Sequence, residues 1–262
     1  MIWKLSADQF RERLFDIISR KQHWSTPYFD GSTATKAQLN IHFRQEYAVY
    51  IRDFSVLLAR LLGKNPPWKM RRQLATIIYE EETGGLSLDK PHQELFLKMM
   101  NGLGFPRAEF RDVELLSRSF AYREWLDTIC QKEEWIVGAA ILMLLVEGSA
   151  NDRAEVFSQE QPKSKSEIED IVRKHPLVVY HGLDPEHMDL VRVREMIEPS
   201  NRLGVYDLIV KETIASNQHT LVLEHLEEGL KLWLQYRDGI ARACGIRETY
   251  LSHNFAGGFL LT

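Results

Sequence analysis

The sequence predicts an all-α protein, and three observations carry that expectation. The first is the run Trp135-Ile-Val-Gly-Ala-Ala-Ile-Leu-Met-Leu-Leu-Val-Glu147, which has no charged or strongly polar side chain before its last residue. A segment apolar on every side must be enclosed by protein or lipid. This one is too short for a bilayer, which needs about 20 apolar residues. Its Ala, Leu and Met content favours helix over strand. The second observation is apolar spacing of helical period elsewhere, as in Phe10, Leu14, Phe15 and Ile18, with no strand-like alternation. The third is glycine and proline at the expected helix ends, such as Gly63, Pro66-Pro67 and Gly84-Gly85. The expected architecture is a bundle of seven to eight helices joined by short links, with the 135–147 helix at its centre.

The elements follow in order. Ser6 or Asp8 can cap a first helix reaching about Lys21, with Gln9 matching part of a capping box. A turn-rich link with Pro27 and Gly31 leads to Thr35, which can cap a second helix from Lys36 to Leu62. Pro66-Pro67 opens a third helix reaching about Glu82, and a fourth runs from Pro91-His92 to Gly102 or Gly104. A fifth covers about Arg107–Phe120 and a sixth Arg123–Lys132. After the buried helix, residues 151–170 read as a polar, partly helical surface excursion. Asp184-Pro185 caps a helix running to about Ile197, continued beyond Pro199 to about Glu212. Ser216 is the expected cap of the last helix, about Asn217 to Ala243, and the apolar tail after it is expected to dock.

The totals narrow the class. The chain has 262 residues, 44% of them hydrophobic, which suits one domain over 1–262 with a sizeable core. The net charge of −4, with both signs interspersed, leaves no polycationic footprint for nucleic acid. The N-terminal MIWKLSADQFRERLF carries charges where a signal peptide needs an apolar core. Two cysteines without a CxxC exclude a disulfide framework. The expectation is a cytoplasmic protein without a membrane span, acting on a small-molecule substrate, with a homodimer as one assembly.

Glu147 is where the functional reading starts. A carboxylate closing a dry run must be paired, protonated or bound to a metal. Two other stretches share its chemistry: Tyr79-Glu80-Glu81-Glu82-Thr83-Gly84 at a helix end, and His92-Gln-Glu-Leu-Phe96 at the next helix start. A bundle that aims Glu and His inward from different helices can hold one or two irons.

These stretches resemble the heme-oxygenase-like iron-containing redox enzymes, grouped with the pyrroloquinoline-quinone biosynthesis protein C and TenA families. The resemblance rests on HWSTPYFD followed by AQLNIHFRQEYAVYIRDFSVLLARLL, on IIYEEETGG with HQELFLKMMNGLG, on WIVGAAILMLLVEGS, on HGLDPEHMDLVRVREMIEPSN and on QHTLVLEHLEEGLKLWLQYRDGI. It covers nearly the whole chain. It implies a heme-oxygenase-like helical bundle, iron as cofactor and dioxygen as co-substrate. The ligands of diiron members are a Glu, a His, a second Glu and a His-x3-Asp-x2-His triplet. Carried over, these fall on Glu82, His92 and Glu147, and the triplet falls on Arg194, Glu198 and Asn201. Arg194 and Asn201 are departures, because arginine cannot ligate iron and asparagine offers only a neutral oxygen. His181-x2-Asp184-x2-His187 is one residue too short to replace the triplet.

Three states therefore compete: a reduced iron site of Glu82, His92, Glu147 and Glu198; a metal-free site using Arg194, His92 and the second-helix tyrosines Tyr47 and Tyr50; or a site without catalysis. The resemblance implies an oxidoreductase: oxygen-dependent oxidation or oxidative cleavage of an amino-acid-like or carboxylate substrate, in natural-product or cofactor biosynthesis. The alternatives are a cofactor-free catalyst, a TenA-like hydrolase needing a cysteine in its pocket, and a helical binding protein. Each site residue has an ordinary explanation too. Consecutive glutamates at a helix end usually face water, Arg194 and Glu198 have the spacing of a surface pair, and Tyr47 and Tyr50 suit a core.

Overall fold

The computed structural model describes residues 5–157, 163–197 and 202–248. Glu198 and Asn201 lie outside the described residues, as do part of the polar excursion and the apolar tail after 248. Every regular element among the described residues is helical.

Ser6 caps α1 (Ala7–Ser19) in a full capping box with Gln9. Thr35 and Gln38 do the same for α2 (Lys36–Glu46). The single helix expected over 36–62 is interrupted. α2 passes into a π-helical turn, Tyr47–Ile51, and α3 (Phe54–Gly63) starts only after Arg52 and Asp53. A π turn leaves carbonyls without their usual partners. Arg123 supplies them, donating to Val49 O (3.2 Å) and Ala48 O (3.4 Å) while pairing with Asp53 at 2.7 Å. A partner this far along the chain has no local signature, so the break is invisible in composition.

α4 (Trp68–Thr83) ends at Gly84, whose φ of 63° is the left-handed cap that glycine adopts most readily. α5 spans His92–Gly102. The two helices expected over 107–132 are instead a short 3-10 turn, Arg107–Phe110, and one helix, α6 (Ser117–Lys132). Gln45 fixes the intervening loop, accepting from Leu116 N–H and donating to Glu114 O. The polar excursion holds α8 (Asp152–Phe157) and α9 (Lys165–Lys174) on either side of its undescribed part. Between α6 and α8 the dry run forms α7 (Trp135–Ala140). α10 is Asp189–Ile197, preceded by the Asp184 cap and a 3-10 turn. α11 (Arg202–Ser216) contains Ser216 at its end, so Ser216 is not the cap of α12 (His219–Ala243). Asn217 turns the chain with a positive φ, and Gln218 holds the cap position.

The dry run is α7 (Trp135–Ala140) continued by a second π turn, Ile141–Val146. Residues Ile136 to Val146 are all buried. α3, α6, α11 and α12 surround α7. Gly138 lets α3 approach closely, since a Cβ there would stand 2.4 Å from Leu61. No described helix is long and apolar enough to cross a membrane.

Two buried cations close the open end of this π turn. Lys21 Nζ donates to Val146 O (3.0 Å) and Gly148 O (2.7 Å). Arg202 donates to Met143 O (2.8 Å) and to the Asp152 carboxylate. Gly148 has no room for a side chain: a Cβ would lie 1.9 Å from Leu144 O and 2.7 Å from Arg202 Nη2. Gly148→Ala is therefore expected to cost about 1–3 kcal/mol, the usual range for overpacking. A urea midpoint equal to that of the unsubstituted protein would contradict this account of the turn.

Candidate functional site

Both π turns border one internal space. A cavity of about 160 Å³ is lined by Tyr50 and Ile51 from the first turn, Met143 and Glu147 from the second, and residues of α4, α5, α10 and α11. A narrower lobe of about 30 Å³ shares Tyr50, Ile51, Glu147, Leu190 and Arg194 and extends towards Phe43, Glu46 and Phe96. π turns recur at functional sites because they re-aim the residues that follow them. Here that residue is Glu147. Its N–H bonds back to Leu142 O at 3.1 Å, five positions earlier. The extra residue in the turn swings the side chain out of the core. Glu147 is consequently solvent-accessible at the cavity wall, not sealed in the core as the dry run suggested. Its carboxylate remains within electrostatic reach of Lys21 and Arg202.

The acidic end of α4 divides its work. Glu82 is exposed, and its carboxylate accepts from Ser55 Oγ. Glu80 and Glu81 line the cavity beside His92. Glu81 Oε1 lies 2.8 Å from His92 Nδ1, and Glu80 Oε1 lies 3.2 Å from His92 Nε2. Glu80 also accepts from Leu86 N–H (2.7 Å) and from Ser87 Oγ–H, which ties the loop between α4 and α5 to the cavity wall. Burial disfavours the His92 cation, but the bonds and charges of Glu81 and Glu80 outweigh it and raise the pKa. With a carboxylate on each nitrogen, His92 is a two-sided donor.

Arg194, in the last turn of α10, lines both lobes. Burial, helped by the Arg194 charge, lowers the pKa of the neighbouring buried His175 to about 4. Tyr50 also lines both lobes, and its hydroxyl donates to Glu46 Oε1 at 2.6 Å. Burial and the Glu46 charge hold that phenol protonated. Glu46 is itself buried, 3.5 Å from His42 Nε2. Tyr47 is placed differently: it stacks on Phe96, edge-on to Phe110, within the core and away from both lobes.

The ligand set carried over from the resemblance is therefore not gathered. Among the described residues, no group of three or more His, Cys, Asp or Glu side chains is arranged to hold a metal ion. Glu82 faces Ser55, both nitrogens of His92 are engaged, and Glu147 stands on a different wall. The donor set among the described residues does not fit iron. The hydrolase reading has no thiol here: Cys130 and Cys244 are buried outside both lobes, and burial pushes their pKa values to about 12 and about 11.

Sequence reasoning missed Glu80, Glu81, Glu46, Arg202 and Lys21. Of these, Glu81 was recoverable from helical phase. Met70 and Leu74 are the buried face of α4, and Ile77 and Glu81 continue that stripe at i+3 and i+7 from Leu74. Glu82 falls about 100° further round.

The His92 clamp predicts a pH dependence. Its folded pKa is raised, so its stabilisation is fully present below the unfolded value near 6.5 and is lost as pH rises through the folded value. His92→Gln should therefore lose more unfolding free energy at pH 6 than at pH 9, measured by urea titration. An equal loss at both would show that the imidazolium is not the stabilising form.

Residues 41–190 match the model of a family described as iron-containing redox enzyme. The crystal structure of a TenA homolog from Pseudomonas syringae pv. tomato str. DC3000 superposes with a TM-score of 0.64. It covers 91% of this chain and 96% of that chain at 12% identity, a likeness of fold. Among curated proteins none matches. The helices, their order and the matched segment agree: this all-α chain has the heme-oxygenase-like fold and belongs to the iron-containing redox enzyme family.

Proposed function

We propose that this protein is an oxidoreductase that binds a small carboxylate with an apolar body and passes its electrons to dioxygen. The observation that carries this reading is the cavity itself: apolar walls with the guanidiniums of Arg194 and Arg202 and the carboxylate of Glu147 at one side, and His92 with Glu80 and Glu81 on other elements. An enclosed volume near 150 Å³ is enough for a benzene ring. Here about 160 Å³ suits one ring or a short chain. A guanidinium such as that of Arg194 attracts a carboxylate and orients it by charge-assisted hydrogen bonding. Ile51, Phe54, Ile77, Leu190 and Val193 form the apolar walls and limit water.

In this reading Glu147 takes one of the two protons that leave an electron-rich substrate and passes it on to the reduced dioxygen. Two electrons and two protons leave the substrate, and dioxygen becomes hydrogen peroxide. The Tyr50 hydroxyl, committed to Glu46, orients the inner wall without titrating. The reaction class comes from the family, and the charge of the substrate comes from Arg194.

Pairs of aryl and alkyl carboxylates with their amides test this by thermal shift and calorimetry. Carboxylates should bind and amides should not. Arg194→Met should weaken carboxylate binding at least about tenfold, or 1.4 kcal/mol. Glu147→Gln should keep the affinity and lose peroxide production. Equal binding of acids and amides by the unsubstituted protein would refute the assignment of Arg194.

A further inference from the structure

The same cavity carries one more inference, which rests on its assignment as the substrate site. We propose that fixed protein cations, and not a metal ion, balance the acidic side chains of this cavity. The carboxylates of Glu80, Glu81 and Glu147 share the cavity lining with the basic groups of His92, Arg194 and Arg202, and outside the lining Asp152 pairs with Arg202 and lies near Lys21.

The cations are held in place. Arg202 is bound to Asp152 and Met143 O. Lys21 is bound to Val146 O and Gly148 O; burial lowers its pKa to about 7, and the charges of Asp152 and Glu147 act against that fall. The His92 ring is bracketed by Glu81 and Glu80. A metal ion needs acceptors with free lone pairs that converge on one point. To take an ion on His92, Glu80 or Glu81 would have to leave the ring nitrogen it occupies. A dication would also meet the Arg194 guanidinium, and like charges in a partly dry cavity repel strongly. The arginine that departs from the resemblance's ligand pattern thus lines the cavity where an added positive charge would be least welcome.

The test uses metal directly. The unsubstituted protein is loaded anaerobically with ferrous ion, desalted and assayed for iron. In parallel it is titrated with manganese(II), whose free-ion paramagnetic resonance signal falls on binding. The expected result is substoichiometric iron and an undiminished manganese signal. Arg194→Gln, and Arg194→Ala alongside it, leave the carboxylates undercompensated and should raise manganese affinity at least about tenfold. Stoichiometric iron that disappears in Glu147→Ala overturns the inference, as does an absence of any affinity gain in both Arg194 variants. Carboxylate binding by the unsubstituted protein is read separately. Iron retained together with carboxylate binding would overturn this inference while leaving the substrate site standing.

Discussion

The fold depends on how two interruptions in its helices are closed. Each π turn frees carbonyl oxygens that cannot be left dry, because an unpaired buried carbonyl costs as much as a lost hydrogen bond. In both cases a long cationic side chain from elsewhere in the chain supplies the donor. Arg123 closes the turn after α2, and Lys21 and Arg202 close the turn after α7. The cations need counter-charges, which Asp53 and Asp152 provide. Removing one cation would leave carbonyls without a donor and take one partner from a carboxylate, although Arg52 still pairs with Asp53, and Ser149 N–H and Tyr206 OH still donate to Asp152.

That arrangement explains why the cavity lies where it does. A regular helix through 141–147 would carry its apolar stripe onward and pack Glu147 against its neighbours. The extra residue in the turn rotates Glu147 to the cavity wall, and the first π turn does the same for Tyr50 and Ile51. The cavity walls therefore come from helix segments whose ends are fixed by buried ion pairs. Side chains held on such a frame keep their geometry better than side chains on loops.

Much of this was legible in the sequence, and the illegible part has a common cause. The dry run announced the central helix because apolarity on every side has few structural meanings. Glu147, His92 and Arg194 drew notice through residue type and position, and all three line the cavity. Local capping at Ser6, Thr35 and Asp184 was readable because donor and acceptor are neighbours in the chain. What could not be read is contact at long range. The break at 52–53 follows from Arg123, some 70 positions away, and the exposure of Glu147 follows from Lys21 and Arg202. The misplacement of Glu82 has a different origin: the resemblance puts the ligand there, while helical phase puts Glu81 on the inward stripe beside His92.

The balance of charge gives the site its chemical character. Glutamates in a partly apolar cavity are stable only if something positive is near. A metal ion would do this with one mobile centre, placing its charge at a point and exchanging its ligands. Guanidinium, ammonium and imidazolium spread the charge over several walls, each anchored by bonds to carbonyls or carboxylates. Spread charge of that kind favours recognition of an extended anion over activation of a single bound atom.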